Sequence, residues 1–299
     1  MKVLCIGQAT YDITLPVNEY PIENEKINIP EAIGCGGGSA SNVAYLLSKW
    51  NIDTSYAGII GDDYYGHEII KEFEKAKVDL KYLFLSHDLA TPTSYIISNI
   101  NNSTRTIIKT RDENLVLSDV TIEDTYDIIY FDGYEIETCK KAIKKNPKAI
   151  KIIDASRVEE GCLELCKKCD YIICSKSFAE NYTNKKIDYA NLETIVDIYD
   201  ILKKDFKGKI IITLENMGSF GEDNGYKLVP SIKVESIDST GAGDFYHGAF
   251  IYALTKKYGL TEAMTFSNIT GALSTLKIGS RYSVPRYGDV MEIYDAITK

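Results

Sequence analysis

Long apolar runs are missing from this sequence. None approaches the ~18 residues that a membrane-spanning helix needs. The N-terminal stretch "MKVLCIGQATYDITLPV" has only a five-residue apolar run before polar residues break it, so it reads as a first β-strand and not as a signal peptide. An excess of positive charge is missing too. The 34 Lys and Arg are outnumbered by 43 Asp and Glu, for a net charge of −9, which argues against nucleic acid as a partner and gives no reason to expect a membrane. A small anionic ligand is not excluded, because local backbone amides and a metal can bind one against the overall sign. Seven cysteines are an odd number in a chain too large to need disulfide staples; reduced thiols in a cytoplasmic protein are the simplest account. Repeats, low-complexity tracts and Gly/Ser linkers are also absent, so the 299 residues read as one domain, 1–299, carrying a small lid.

What is there is a rhythm. Apolar runs "KVLCIG" (2–7), "YAGIIG" (56–61), "YDIIYFDG" (126–133), "AIKIIDAS" (149–156), "YIICS" (171–175) and "KIIITLE" (209–215) are continuous and not alternating. That is the pattern of strands covered on both faces, as in a parallel sheet. Helical spacing marks 39–50, 63–78, 191–206 and 261–279 between them. The alternation predicts a three-layer α/β/α sandwich with a mostly parallel central sheet. Two segments break it. Residues 10–34 hold three of the seven prolines, and 92–110 read as a hairpin around an Asn-rich turn. Both are expected to pair into a small antiparallel β lid outside the main sheet, placed to close over a site.

The stretch "DSTGAGDFYHGAF" (238–250) runs Gly241, Ala242 and Gly243 straight into Asp244, where a helix starts. Backbone N–H groups in a first helical turn have no intrahelical partner and carry partial positive charge. Small residues let a phosphate approach them. A carboxylate beside such an anion hole makes sense if it takes a proton from a hydroxyl that attacks the phosphoryl group. The plainer reading is an Asp that favours a helix N-terminus.

A second glycine cluster, "GCGGGSASNVAYLL" (34–47), sets Gly37 and Gly38 ahead of Asn42 and a helix, and no Gly-Lys-Ser/Thr follows to make a Walker loop. With "DSTGAGD" late in the chain and this cluster early, the sequence resembles the PfkB (ribokinase-like) carbohydrate kinases. The resemblance covers essentially the whole chain. It implies that Asp244 is the general base of an ATP-dependent phosphorylation and that Gly241–Gly243 form the anion hole. It also implies that Gly37, Gly38 and Asn42 meet a sugar, and that Asp12, in "GQATYD", holds sugar hydroxyls. The nucleotide half is less regular. Where the family often has Asn-x-x-Glu, this chain has "SFAE", with Ser177 for Asn and Glu180 kept as the carboxylate that orders Mg2+ through water. Where the family has T-L-G-x-x-G it has "TLENMG", keeping Thr213 and Gly218 but with Glu215 for the first Gly. Asn268 falls where such enzymes border the adenine; a helix-surface Asn is its alternative. Asp238, Thr240, Gly279 and Ser283 are the candidates for the monovalent-cation (K+) site many relatives carry. The resemblance further implies a homodimer formed through the lid.

Three readings stand apart from the resemblance. Arg157 follows a strand on the edge where parallel sheets bind ligands, as a substrate or phosphate contact. Cys162, Cys166 and Cys169 have a spacing also found at iron–sulfur sites, but Val158, Cys162, Leu165, Cys166 and Cys169 make one apolar helical stripe, and buried core is the preferred reading. His247, one turn after Asp244, is read as a packed histidine. The acceptor is expected to be a small sugar such as ribose, fructose or another ketose or keto-sugar. A nucleoside or sugar-phosphate kinase of the same fold, and a non-catalytic sugar-binding regulator, are the alternatives.

Overall fold

The computed structural model describes residues 1–118 and 120–298. Its main sheet has nine strands: β1 (Lys2–Ile6), β4 (Asp53–Gly61), β5 (Asp79–Ser86), β8 (Ile128–Phe131), β9 (Ile150–Ala155), β10 (Tyr171–Ser175), β11 (Lys209–Thr213), β12 (Ser219–Glu222) and β13 (Tyr226–Val229). Their spatial order is β13-β12-β11-β10-β9-β8-β1-β4-β5. From β5 to β11 every pairing is parallel; the last two strands turn back as an antiparallel hairpin. Helices α1 (Ser39–Lys49), α2 (Tyr64–Ala76), α3 (Ile136–Lys145), α4 (Glu160–Cys166), α5 (Lys176–Thr183), α6 (Glu193–Asp205), α7 (Ala242–Thr255), α8 (Leu260–Leu273) and α9 (Tyr287–Thr298) cover its two faces. One apolar cluster joins α1, α2, α7, α8 and α9 to one side of the sheet, and a second joins α3 to α6 to the other. Two buried faces explain the continuous apolar strands.

The second sheet is built from β2 (Thr10–Val17), β3 (Ile33–Gly37), β6 (Thr93–Asn99) and β7 (Thr104–Thr110), in the order β3-β2-β6-β7. Here the expectation of an antiparallel sheet needs correction. β2 and β6 pair in parallel, Tyr11 opposite Thr93. The reason is connectivity: β2 leaves the end of β1 and β6 follows β5, and these two are parallel strands of the main sheet, so their continuations run the same way.

Chain order places the site. From β1 the chain builds outward through β4 and β5, then returns to the other flank of β1 with β8 and continues through β9 to β11. The carboxyl ends of β1 and β8 therefore border a topological switch point, where open α/β sheets leave a crevice. Over it sit the first turns of α1 and α7. These helices approach closely because Gly248 lacks a Cβ, which would lie 2.8 Å from the Leu46 side chain.

Candidate active site

α7 begins at Ala242 after Gly241, whose φ of 82° lies in the left-handed region that glycine occupies without strain. No side chain among the described residues caps this helix. The Ala242 amide makes a long bond, 3.3 Å, to the Ser239 carbonyl. Among the described residues the amides of Gly243 and Asp244 meet no acceptor, and a Cβ on Gly243 would find open space. Two uncapped amides in a first helical turn are the kind of donors that can receive an anion.

Asp244 is half-buried, and its Oδ2 accepts a 2.7 Å hydrogen bond from Asn42 Nδ2. Asn42 is buried on α1, and the other amide atom, Oδ1, has no partner among the described residues. Asp12, on β2, is buried; its Oδ1 accepts from Thr10 Oγ1 at 2.8 Å. Burial pushes its carboxyl above the usual range, opposed by the Thr10 and Ser94 hydroxyls and reinforced by the nearby Asp244 charge. Gly37 faces it directly: a Cβ there would lie 2.0 Å from Asp12 Oδ2. Gly38, at φ 91°, lets the chain turn into α1 against the backbone of Gln8 and Ala9. Asp12, Gly37, Asn42 and Asp244 thus come together from β2, β3, α1 and α7.

Asp132 was not found from sequence. It follows β8 at the switch point, 2% exposed, and its carboxylate accepts the amides of Gln8 (2.7 Å), Ala40 (3.2 Å) and Tyr134 (3.0 Å). It ties the end of β1 to the first turn of α1, which carries Asn42. Burial pushes its carboxyl up to about 7. Asp154, in β9 beside it, was also missed, because an Asp closing an apolar strand looks like any strand end. Arg157 turns back onto the site's wall: it donates to the Gly133 carbonyl, stacks 3.8 Å from the Tyr134 ring centroid and pairs with Glu159 at 3.2 Å.

Of the expected nucleotide residues, Ser177 and Glu180 follow β10, Thr213 and Gly218 end and follow β11, and Asn268 lies apart on α8. Ser177 is exposed, its hydroxyl 2.9 Å from that of Ser175, the N-cap of α5. Glu180 accepts from Lys186 (2.9 Å) and the Ile187 amide (3.0 Å), and these contacts outweigh burial to hold its carboxyl below the usual range. Thr213 Oγ1 donates to the Cys174 carbonyl at 3.3 Å. Gly218 has φ 104°, and a Cβ there would strike the Val229 carbonyl oxygen at 2.1 Å. Asn268 is buried, not on a helix surface; its Nδ2 donates to the Val229 carbonyl at 2.9 Å, tying α8 to the end of β13. Asp238, buried, accepts from the Thr240 amide (3.0 Å) and hydroxyl (2.7 Å) and from the Gly279 amide (3.0 Å), while the Ser283 amide donates to the Gly279 carbonyl at 3.0 Å.

These motifs, their order and this fold decide the family: residues 1–286 match the model of the pfkB family carbohydrate kinases. The chain belongs to that family. It is an ATP-dependent carbohydrate kinase, a phosphotransferase, and its ligands include ATP and a small molecule. It is 25% identical to a ribokinase of Staphylococcus aureus (strain COL), over 98% of this chain and 99% of that one. It is 23% identical to a nucleoside kinase of Methanocaldococcus jannaschii, over 97% and 96% of the two chains. The crystal structure of a Cryptococcus neoformans ribokinase in complex with ADP superposes with a TM-score of 0.83 at 20% identity, covering 98% of this chain and 99% of that one. No helix among the described residues of this pfkB-family kinase is long and apolar enough to cross a membrane.

The cysteines of the 162–169 cluster lie in the apolar core beside α3 to α6: Cys162, Cys166 and Cys169 are all buried, as is Cys174 on β10. The stripe is shorter than its spacing suggests. α4 ends at Cys166, Cys169 follows in a turn, and Val158 is 44% exposed.

Proposed function

We propose that this kinase transfers the γ-phosphoryl group of ATP to a primary hydroxyl of a small sugar or keto-sugar, in line, with Asp244 as general base. The observation that carries the reading is the Asp244 carboxylate, held at 2.7 Å by Asn42 one residue beyond the free amide of Gly243. A phosphoryl group resting on the uncapped turn of Gly241–Gly243 has its developing charge met by fixed N–H dipoles. Asp244 then accepts the proton of the attacking hydroxyl, and Asp12, Gly37 and Gly38 hold the rest of the acceptor. Transfer in this geometry is mostly positioning and electrostatics.

ATP lies, in this reading, along Ser177, Thr213, Gly218 and Asn268. Glu180 meets the chemistry that Mg2+ asks for, an ionised hard-oxygen group. Its oxygens are already engaged by Lys186 and Ile187, so it acts through the ion's water. The ion supplies neutralisation of phosphate charge. Asp238, with Thr240, Gly279 and Ser283, is the proposed K+ site; three of the four lone-pair positions on its carboxylate are taken by the protein. Equal rates in potassium and in a bulky organic cation remove that site. The second sheet acts as the lid of a single-domain enzyme and as its dimer surface. The lid tip already reaches the loop around Asp238, where Ser239 Oγ donates to the Ser103 carbonyl at 3.3 Å and Arg105 meets the Ser239 hydroxyl.

The test is Asp244→Asn. The variant should bind ATP as the parent does and lose on the order of 10²–10⁴ in turnover. Near-normal turnover with the preferred acceptor rejects the assigned base.

A further inference from the structure

Beside Asp244 lies a set of buried polar groups that the transfer step leaves without work. His247, one helical turn further along α7, is 5% exposed, and neither ring nitrogen has a partner among the described residues. Its Nε2 stands 3.9 Å from Asp154 Oδ1, too far for a hydrogen bond. The Tyr130 hydroxyl is likewise buried without a partner, its ring centroid 5.8 Å from that of His247. Strand alternation puts these groups on one face. Tyr130 of β8 pairs with Ile152 of β9, and Asp154 lies two residues beyond Ile152, on the same side of the sheet as α7. Each unpaired buried polar group costs about 1–3 kcal/mol, so such a group calls for a partner from outside the chain.

We propose that Asp154 and His247 form a hydroxyl-recognising subsite for the acceptor, and that the acceptor is an unphosphorylated polyhydroxy molecule. This rests on the kinase reading above and narrows it. A carboxylate accepts from a hydroxyl, while an imidazole offers a nitrogen donor and, unprotonated, an acceptor as well. Groups of that kind, with their nitrogen and oxygen centres 3.9 Å apart, can be bridged from one side by an alcohol oxygen that donates to the carboxylate and receives from the imidazole. A phosphate is opposed here, because the Asp132 and Asp244 carboxyls lie within charge range of Asp154. Arg157, the guanidinium at this edge, spends its two terminal nitrogens on Gly133 and Glu159 and its face on Tyr134, leaving only the buried Nε without a partner among the described residues.

The experiment pairs a specificity screen with a binding measurement. ADP release is followed for ribose, fructose, other ketoses and nucleosides, each beside its monodeoxy and phosphorylated analogues. The parent enzyme should prefer an unphosphorylated acceptor and discriminate against one particular deoxy analogue by on the order of 100-fold or more in kcat/KM. In His247→Phe and in Asp154→Asn that ratio should fall to within about tenfold, with KM for ATP unchanged. Calorimetric titration of the Asp244→Asn protein with the same acceptors reads the subsite without turnover. Folded variants that keep the full discrimination make the pair mere core and overturn the subsite. So does a phosphorylated preferred acceptor, or the failure of every unphosphorylated polyol to bind. Retained turnover in Asp244→Asn instead rejects the base and leaves the subsite standing.

Discussion

Asn42 Nδ2 donates to Asp244 Oδ2 at 2.7 Å, joining residues 202 positions apart in the chain. The bond exists because α1 and α7 pack at the close distance Gly248 permits, and because Asp132 holds the first turn of α1 through the Ala40 amide. It fixes which way the carboxylate faces. Asn42→Leu keeps the bulk and removes the donor, so the carboxylate is freed to rotate. A misplacement near 1 Å costs on the order of 100-fold in rate. The expected result is a fall of about 10- to 100-fold in kcat with KM for ATP unchanged. Steady-state kinetics at saturating ATP measures it, and an unchanged kcat shows that Asn42 does not position the base.

Gly37→Ala probes the acceptor end. The new methyl would lie 2.0 Å from Asp12 Oδ2, so the Asp12 side chain must move. KM for the acceptor should rise at least about tenfold, roughly the loss of one charge-assisted hydrogen bond. ATP affinity, measured by titration, should not change. If the acceptor KM also stays put, Asp12 is not holding the acceptor.

The parallel strands were legible because two covered faces leave a run such as "YIICS" no polar position. β5 was not. As an edge strand it is half-exposed, and "DLKYLFLS" mixes polar and apolar positions without a clean period. At the candidate site, the helix start behind Gly241 with Asp244 in its first turn was legible because its small residues and its acid stand in consecutive positions. Asp132, Asp154 and His247 were not legible as a group. Each looks ordinary in its own segment, and only strand register and the placement of α7 over the sheet bring them together. Asn268 shows the same limit: a carbonyl 39 residues earlier in the chain engages its amide.

Glu215 stands where the resemblance calls for glycine, and the structure gives the reason. Its φ is 55°, in the left-handed region. A non-glycine residue there costs about 1–2 kcal/mol, part of which a glycine gives back through the freer unfolded chain. The side chain offers modest compensation, accepting at 3.2 Å from the hydroxyl of half-buried Tyr189, which it shares with the Leu214 carbonyl. Glu215→Gly should therefore stabilise the protein by about 0.5 kcal/mol, whereas Glu215→Ala, which loses the bond and keeps the strain, should destabilise it by a similar amount. Urea unfolding of the two variants separates backbone from side chain, and equal effects contradict the argument.

Asp132 makes a pH prediction whose sign follows from its raised pKa. Burial is the main cause, and the neighbouring Asp154 charge adds to it, against the three amide bonds, so the carboxyl titrates near about 7 and not near the ordinary 3.8. Between those values the folded chain keeps a proton that the unfolded chain has released. Unfolding free energy therefore falls as pH rises from about 4 to 7 and levels off above, with the favourable contribution fully present only below the unfolded pKa. Asp132→Asn removes the titration. It also turns an amide N–H2 toward backbone donors, a cost independent of pH. The variant should be much the less stable protein at pH 4.5, and the gap to the parent should narrow by about 1 kcal/mol or more by pH 8. Urea midpoints of both proteins across that range give the gap directly. A constant gap means that Asp132 is ionised throughout, and then the three amides outweigh its burial.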